Sequence, residues 1–179
     1  EINDPQFHDA NTVTALDSYF LFDRKGTNEF FVSDLLDGAS YSALMYATAE
    51  SKPDRILAVK NISGILRLFG EKTIESWDSI GAGTPPFQRF DGATISTRGI
   101  GAPKAVVEED EAAFIFGNDR VFYRLSGTSL SRISNHAIEK EWETYAMVSD
   151  AFCFPVAYGG HKFIYLTFPT EGKTWGFDV

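Results

Sequence analysis

Short runs of apolar and aromatic residues, each ended by glycine, aspartate or proline, alternate with polar turns along the whole chain. Four of these runs are alike: Tyr19–Phe22 before Asp23, Leu66–Phe69 before Gly70, Phe114–Phe116 before Gly117, and Ile164–Phe168 before Pro169. Phe22, Phe69 and Phe116 follow one another at intervals of 47 residues, and Phe168 comes 52 residues after Phe116. A period of about 40 to 50 residues with several strands per repeat is typical of β-propeller blades.

The pattern within one period predicts a small antiparallel sheet. In the second repeat Ile56–Val59, Ile65–Phe69 and Thr73–Trp77 are predicted strands, and Phe87–Phe90 and Ala93–Thr97 supply outer strand material. The inner strands are apolar on both faces, as expected where one sheet packs between two others. The same scheme predicts approximate blades at residues 13–50, 54–98, 103–134 and 145–179, the first of them only partly visible.

One segment departs clearly from the strand pattern. Asn135 is a good N-cap residue, and it precedes a predicted short helix that ends near residue 143. Ile138 and Trp142 are four residues apart and share one face of this helix, whereas Glu139 and Glu143 are predicted to point outward.

The predicted fold class is therefore all-β, a single domain over residues 1–179 built from antiparallel four-stranded blades. Residues 38–50, rich in Ala, Ser and Tyr, are ambiguous between a helical turn and a long excursion between blades. About three blades and part of another are recognisable, and closed propellers typically need about four to eight. We therefore expect an incomplete propeller. The chain begins without methionine and stops inside an apparent strand, which predicts a piece of a longer protein.

Composition narrows the classes of partner. The chain has 179 residues, of which 44% are hydrophobic and 15% aromatic, which fits a packed globular protein. The formal net charge of −9 and the scattering of basic residues argue against nucleic-acid binding. Cys153 is the only cysteine, so no internal disulfide can form, and its apolar neighbours predict a buried thiol. No apolar stretch approaches the roughly 20 residues of a membrane span.

Motifs that carry chemistry are weak in this chain. Gly172-Lys173-Thr174 resembles the end of a phosphate-binding loop, but Thr167 stands where that motif requires another glycine and a strand follows instead of a helix. The same segment resembles half of the structural Asp-box turn of sialidase-type propellers. No pair of carboxylates has a spacing that predicts glycoside hydrolysis.

Histidines and acidic residues likewise predict no metal site. His8, His136 and His161 are isolated, whereas metal ligands usually stand about two to five residues apart. The acidic run Glu108–Glu111 is predicted to be a solvated hairpin tip, and Ser126 lacks the glycines of a nucleophile elbow. We therefore predict no catalytic, cofactor-binding or metal-binding residues, and no enzyme activity.

Several longer stretches are similar to one known family. The stretches are Tyr19–Gly38, Leu68–Trp77, Arg132–Glu139, and Leu166–Thr170 with Thr174-Trp175. Through them the chain resembles an internal segment of the packaged-DNA stabilisation proteins, or tail hubs, of short-tailed bacteriophages. The proteins of that family are substantially longer than this chain.

The resemblance implies a non-enzymatic structural protein of the virion, assembled in the bacterial cytoplasm. Such hubs close the channel below the portal and its adaptor ring, bind the tail needle, and keep packaged DNA inside. DNA passes nearby, but sequence-specific binding is not implied, and an acidic wall would let DNA slide past. The resemblance implies no catalytic residues and assigns no contact residue.

Two further hypotheses remain open at this stage. Because an incomplete propeller exposes blade faces and strand edges, self-association is expected. The alternative function is a carbohydrate-binding or sialidase-like propeller module, in which aromatic residues of Phe87–Phe90 and Phe152–Tyr158 stack on sugar rings. We expect these aromatics to be buried in the core, which disfavours that alternative.

Overall fold

The computed structural model describes residues 2–90 and 92–179, which form fifteen strands and one helix. The first sheet contains β1 (Val13–Leu16), β2 (Tyr19–Asp23), β3 (Glu29–Asp34) and β4 (Asp37–Thr48). The second contains β5 (Ile56–Ile62), β6 (Ile65–Gly70), β7 (Ile74–Ser79) and β8 (Phe87–Arg89). The third contains β9 (Val106–Glu109), β10 (Ala112–Phe116), β11 (Phe122–Ser126) and β12 (Ser129–Arg132). Helix α1 (His136–Glu143) precedes the fourth sheet, which contains β13 (Phe152–Tyr158), β14 (His161–Phe168) and β15 (Lys173–Asp178).

Every sheet is antiparallel, and its strands lie side by side in chain order. Phe22, Phe69, Phe116 and Phe168 each lie at or next to the end of the second strand of their sheet, and all four are buried. The repeat therefore marks one structural unit, the blade. The prediction of an all-β, incomplete propeller-type fold with one short helix is confirmed.

The same kind of turn joins the first and second strands in all four sheets. Both turn residues have positive φ in the pairs Asp17-Ser18, Ser63-Gly64, Asp110-Glu111 and Gly159-Gly160. Two-residue turns with this backbone match the twist of the strands that they connect. Glycine fits this conformation without strain, which explains the Gly159-Gly160 pair with φ of 61° and 85°.

Residues 1–97 form one compact unit and residues 98–179 another. In the first unit a core lies between the β1–β4 and β5–β8 sheets and includes Leu21, Phe30, Leu66, Leu68 and Trp77. The rings of Phe30 and Trp77 meet edge to face, with centroids 5.1 Å apart. Aromatic pairs in this arrangement gain about 0.5–1.5 kcal/mol beyond the area that they bury.

The opposite face of the β1–β4 sheet is covered by the segment that precedes β1. Phe7 packs edge to face on Phe22, Phe31 and Tyr41, with ring centroids 5.3, 5.6 and 5.1 Å apart. Asp4 fixes this segment because its carboxylate accepts a hydrogen bond from the Tyr41 backbone N–H at 3.0 Å. Both faces of the first sheet are therefore covered in part.

In the second unit α1 contributes the centre of the core. Asn135 caps the helix by accepting a hydrogen bond from the Ile138 N–H at 3.1 Å, as predicted. Trp142 is fully buried and contacts rings from both sheets, with centroid distances of 5.5 Å to Phe116 and 5.9 Å to Phe168. The short helix thus fills the space between the β9–β12 and β13–β15 sheets with one large side chain.

Several predictions about individual segments are wrong. Residues 38–50 are neither a helical turn nor an excursion between blades, since most of them form β4. The first blade therefore has four strands, and the sheet with three strands is the last one. Of Ala93–Thr97 only Ile95 pairs, through an isolated bridge to Ile74. Glu139 is buried, not outward, because Arg132 and Ser134 bind its carboxylate. The division into one domain stays a prediction.

Candidate interaction surface

Three aspartates tie the start of a sheet to the turn that follows its second strand. Asp23, at the end of β2, accepts hydrogen bonds from the Thr12 backbone N–H at 2.7 Å and the Asn11 side chain at 2.7 Å, just before β1. Asp54 and Asp150 do the reverse: each precedes a first strand and binds the turn after the second strand. We call these residues the clamp aspartates.

Asp54 is more buried than Asp150. Its carboxylate accepts from the backbone N–H groups of Lys72 and Thr73 at 2.7 and 3.1 Å and from the Thr73 hydroxyl at 2.9 Å. Asp150 accepts from the backbone N–H and hydroxyl of Thr170 at 2.9 and 2.7 Å. The Thr170 hydroxyl is the first cause of the lowered pKa of Asp150.

The third sheet uses an amide for the same connection. The Asn118 side chain accepts from the Gly99 N–H at 3.3 Å, and the Asn118 N–H donates to the Gly99 carbonyl at 3.1 Å. These carboxylates and this amide bind groups at the strand ends and turns of their own sheet, so each of them fixes the strands of one blade.

The acidic hairpin tip has a more specific role than the sequence suggested. Asp110 and Glu111 form the turn, as predicted. Lys162 on β14 binds both Asp110 and Glu109, with 2.7 Å between its Nζ atom and the Glu109 carboxylate. These two carboxylates raise the pKa of Lys162, the hydrogen bond to Asp110 being the larger cause. The tip therefore links the β9–β12 sheet to the β13–β15 sheet.

Each histidine has its own local contacts. His8 contacts the Phe31 ring, with centroids 5.5 Å apart, and His136 begins α1 as predicted. His161 begins β14, and its Nδ1 atom lies 3.0 Å from the Asp178 carboxylate on β15. Within residues 2–90 and 92–179, no three His, Cys, Asp or Glu side chains are grouped so that they could hold a metal ion.

Cys153 and the Gly172-Lys173-Thr174 segment have structural positions. Cys153 packs against the core of the second unit, and burial raises the pKa of its thiol. Gly172 has a φ of 61° and forms the turn, while Lys173 and Thr174 begin β15. A strand follows the glycine, so the backbone N–H groups of a helix N-terminus are not available there for a phosphate. In the described residues no helix is long and apolar enough to cross a bilayer.

A cavity of about 320 Å³ lies beside β3 and β4 in the first unit. Phe31, Tyr41 and Tyr46 line it, together with the ion pair between Arg24 and Glu29, whose closest atoms are 2.6 Å apart. It exists because β4 bulges: Ser33 pairs with Tyr41 and Phe31 with Tyr46, so β4 carries three more residues than β3 between these pairs. Burial is the first cause of the raised pKa of Tyr41.

The largest departure from the sequence prediction is one face of the β13–β14 hairpin. Phe154, Val156 and Tyr158 on β13 are 37%, 36% and 79% exposed, so the prediction that Phe152–Tyr158 is core is wrong. Across from them on β14, in register, stand Tyr165, Phe163 and His161. We call these residues and Phe152 the aromatic face. The opposite face of the same sheet, with Ile164 and Leu166, is buried in the core.

The rings of the aromatic face stack on one another. Centroid distances are 6.0 Å for Phe152–Phe154 and 5.4 Å for Phe154–Tyr165, with interplanar angles of 27° and 20°. Phe163 continues the row at 6.3 Å from Tyr165. A row of exposed and half-exposed rings is an apolar surface, which suits packing against another apolar surface.

The second aromatic segment considered for sugar binding is divided. Phe87 is 4% exposed and belongs to the core of the first unit, whereas Phe90 is 52% exposed. Sequence reasoning thus missed both the exposure of the aromatic face and the clamp aspartates. A signal for the clamps was present, since Asp23 ends an apolar run and Asp54 and Asp150 each stand two residues before a first strand, but the pattern does not reveal their hydrogen-bond partners.

A comparison with known protein families agrees with an all-β repeat. The family described as Bacteriophage P22 Gp10, beta-propeller, matches residues 1–179. None of the curated proteins matches the sequence. Similar solved structures include the extracellular domain of the two-component-system protein BT4673 from B. thetaiotaomicron, with 7% identity and a TM-score of 0.49 over 93% of this chain and 22% of that chain. An exported protein, BF0058 from Bacteroides fragilis, has 11% identity and a TM-score of 0.43 over 96% of this chain and 56% of that one.

Proposed function

Because the chain belongs to the Bacteriophage P22 Gp10 β-propeller family, we propose that it forms part of a phage tail hub that closes the portal channel and stabilises packaged DNA. The chain is a β-propeller structural protein of a phage. The observation that carries the proposal is the match of that family along all 179 residues. The chain spans 22% of the length of the first solved structure that it resembles, so the activity of any longer protein is also part of the proposal.

The proposed mechanism is mechanical and uses no chemical step. The partners would be the adaptor ring below the portal and the tail needle, both bound through protein–protein contacts. Rigid blades suit this work because the clamp aspartates fix strands within their own sheets, and buried aromatic pairs join the two sheets of each unit. The carboxylates of the clamps are occupied in these contacts, which supports a role without catalysis.

An assembly experiment tests this proposal. The purified chain would be mixed separately with the portal, adaptor and needle proteins of the same phage, and each mixture would be separated by size-exclusion chromatography with light scattering. We expect co-elution with the adaptor ring or the needle. Failure to bind any of the three proteins, with the chain folded by circular dichroism, would contradict the hub function.

Self-association is the second part of the proposal, and the aromatic face is the surface best suited to it. We expect the double variant Phe154→Lys with Tyr158→Lys to weaken dimerisation at least about tenfold, because two lysines would have to lose water at the interface. Leu44→Lys is the matched control, since Leu44 is 69% exposed on β4 in the first unit. Sedimentation velocity over a concentration series measures both, and a strictly monomeric parent chain would refute self-association.

A further inference from the structure

The cavity beside β3 and β4 is built from three parts of the first unit. The β2–β3 hairpin supplies one wall, the bulge of β4 supplies the second, and Gln6 and His8 from the segment before β1 supply the third. That segment is tied to the hairpin, because the Lys25 N–H donates to the Asp9 carbonyl at 2.8 Å. The volume of about 320 Å³ falls within the usual range of small-molecule sites, about 300–1,000 Å³.

Aromatic rings form one side of the cavity. Phe22 is directly opposite Phe31, and Phe31 is directly opposite Tyr46, so the three side chains lie on one face of the sheet. Phe31 is buried and held in place by the Phe22 ring, with centroids 5.1 Å apart. Tyr46 is 47% exposed. The cavity therefore has an accessible ring beside a fixed one.

Polar groups form the other side. The side chains of Arg24 and Glu29 bind each other at 2.6 Å and are both partly exposed. A guanidinium has several N–H donors and a carboxylate several acceptor positions, so this pair can bind two further polar groups side by side. Gln6 and Ser42 add an amide and a hydroxyl, which both donate and accept hydrogen bonds.

The charges of this lining favour a neutral ligand. Among the described residues that line the cavity there is one carboxylate, on Glu29, and one guanidinium, on Arg24, and they bind each other. A free anion would meet Glu29, and a free cation would meet Arg24. A sugar ring has hydroxyl groups that donate and accept, and an apolar face of C–H groups, so it matches both sides of the cavity.

We propose that this cavity binds a pyranose ring of a neutral saccharide, with Tyr46 against the C–H face and Arg24 and Glu29 on adjacent hydroxyl groups. This binding function goes beyond the proposed hub function and does not rest on it. It involves no bond cleavage, because glycoside hydrolysis needs a pair of carboxylates and the described lining offers one. Neither aromatic segment that the sequence suggested for sugar binding takes part.

The probes for this site are the methyl glycosides of glucose, galactose, mannose and N-acetylglucosamine. Each is titrated into the ¹⁵N-labelled chain and followed by NMR. We expect at least one to bind with a Kd of about 10 mM or below and to shift the amide signals of His8 and of residues 41–46. Absence of binding by all four, or shifts confined to other residues, would overturn the proposal.

The source of the sugar is tested with the trisaccharide of whichever glycoside binds best. Affinity equal to or higher than that of the methyl glycoside would identify a ring within a polysaccharide, and exclusion of the trisaccharide would identify a free sugar. Either result supports the cavity as a saccharide site.

Variants of the accessible ring test its contact with the sugar. Tyr46→Ala should weaken binding at least about tenfold, whereas Tyr46→Phe keeps the ring and should stay within about threefold. Phe20→Ala is the matched control, because Phe20 is 45% exposed on β2 and does not line the cavity. An equal loss for Phe20→Ala and Tyr46→Ala would contradict the assigned site.

A charge variant separates recognition by the ion pair from a purely structural role. Glu29→Gln keeps the size of the side chain and leaves the Arg24 charge without its carboxylate. Affinity for the neutral glycoside should fall, and affinity for the anionic methyl glucuronide should rise at least about fivefold. A loss of both affinities would contradict contact with the ion pair. Choline binding more tightly than every glycoside would show an aromatic cage for cations and would also overturn the proposal.

Discussion

Several buried polar side chains of this protein have fixed hydrogen-bond partners within the fold. Glu139 illustrates this, because the sequence predicts that it points outward from α1, whereas its carboxylate is buried and binds Arg132 and Ser134. Arg132 donates from Nε at 2.7 Å and Ser134 from its hydroxyl at 2.6 Å. These contacts, the Arg132 hydrogen bond first, lower the pKa of Glu139.

The lowered pKa predicts how stability depends on pH. A carboxylate whose pKa is lower in the folded state stabilises the fold above its unfolded pKa, near about 4.3, and loses that contribution as pH falls through its folded pKa. We expect Glu139→Gln to cost about 1 kcal/mol at pH 7, the value of a solvent-screened charged hydrogen bond. The difference from the parent chain should shrink below about pH 4.

Urea unfolding at several pH values measures this difference. Glu143→Gln is the matched control, because Glu143 is exposed on the same helix and should change stability by less than about 0.5 kcal/mol at any pH. A cost for Glu139→Gln that is the same at pH 3 and pH 7 would argue against the ionised network.

A second prediction at this scale concerns the clamp aspartates. Asp54→Ala removes three hydrogen bonds and leaves the N–H groups of Lys72 and Thr73 without their acceptor, so we expect a loss of about 2–3 kcal/mol. Asp9→Ala is the control at an exposed aspartate. Urea unfolding measures the free energy of unfolding of both variants. An equal loss in the two variants would mean that the hydrogen bonds of Asp54 do not stabilise the fold.

At the scale of elements, one helix and the hairpin turns decide how the strands are arranged. The inner hairpins share one turn geometry, so the register of each first pair of strands is set locally. Helix α1 acts differently, because it contributes Trp142 to a core formed by two sheets. Its own eight residues are too few to be stable alone, so packing of this side chain holds it in place.

Truncation of the Trp142 side chain should destabilise the second unit severely. We expect Trp142→Ala to cost about 3–5 kcal/mol, because the cavity would remove the contacts that Phe116 and Phe168 make with the indole ring. Tyr158→Ala is the control for removing an aromatic ring that is 79% exposed, and should cost less than about 0.5 kcal/mol. Hydrogen exchange by mass spectrometry should show faster exchange in residues 98–179, and unchanged exchange there would contradict the assigned role.

At the scale of the whole molecule, net charge and exposed surface matter more than any single contact. A net charge of −9 opposes association with a polyanion, and the lysine at the acidic hairpin tip, Lys162, is neutralised by Glu109 and Asp110. A protein that lines a DNA channel benefits from such a surface, because DNA that does not adhere can leave quickly during infection.

We therefore expect affinity for double-stranded DNA weaker than about 10⁻⁴ M at physiological salt. Fluorescence anisotropy over a salt series, with a basic DNA-binding protein as positive control, measures it. A large association constant that falls steeply as the salt concentration rises would show a basic patch and would contradict the proposed role of the acidic surface.

Local pattern was sufficient for the blades, since strand period, turn residues and the interval of 47 residues are properties of neighbouring positions. It gave the second strands, the N-cap at Asn135 and the hairpin tip at Asp110-Glu111 correctly. It failed for β4, whose Ala- and Ser-rich sequence has little intrinsic strand preference and pairs because β3 lies beside it.

Only the packing of the sheets determines which apolar face of a strand is buried and which residues cover it. The first two strands of the last sheet carry apolar residues on both sides, and nothing in their pattern distinguishes Ile164 in the core from Phe154 in solvent. The same holds for the clamp aspartates, whose partners are up to 20 residues away. Strand formation depends on adjacent residues, whereas burial and hydrogen-bond partners depend on contacts between residues distant in sequence.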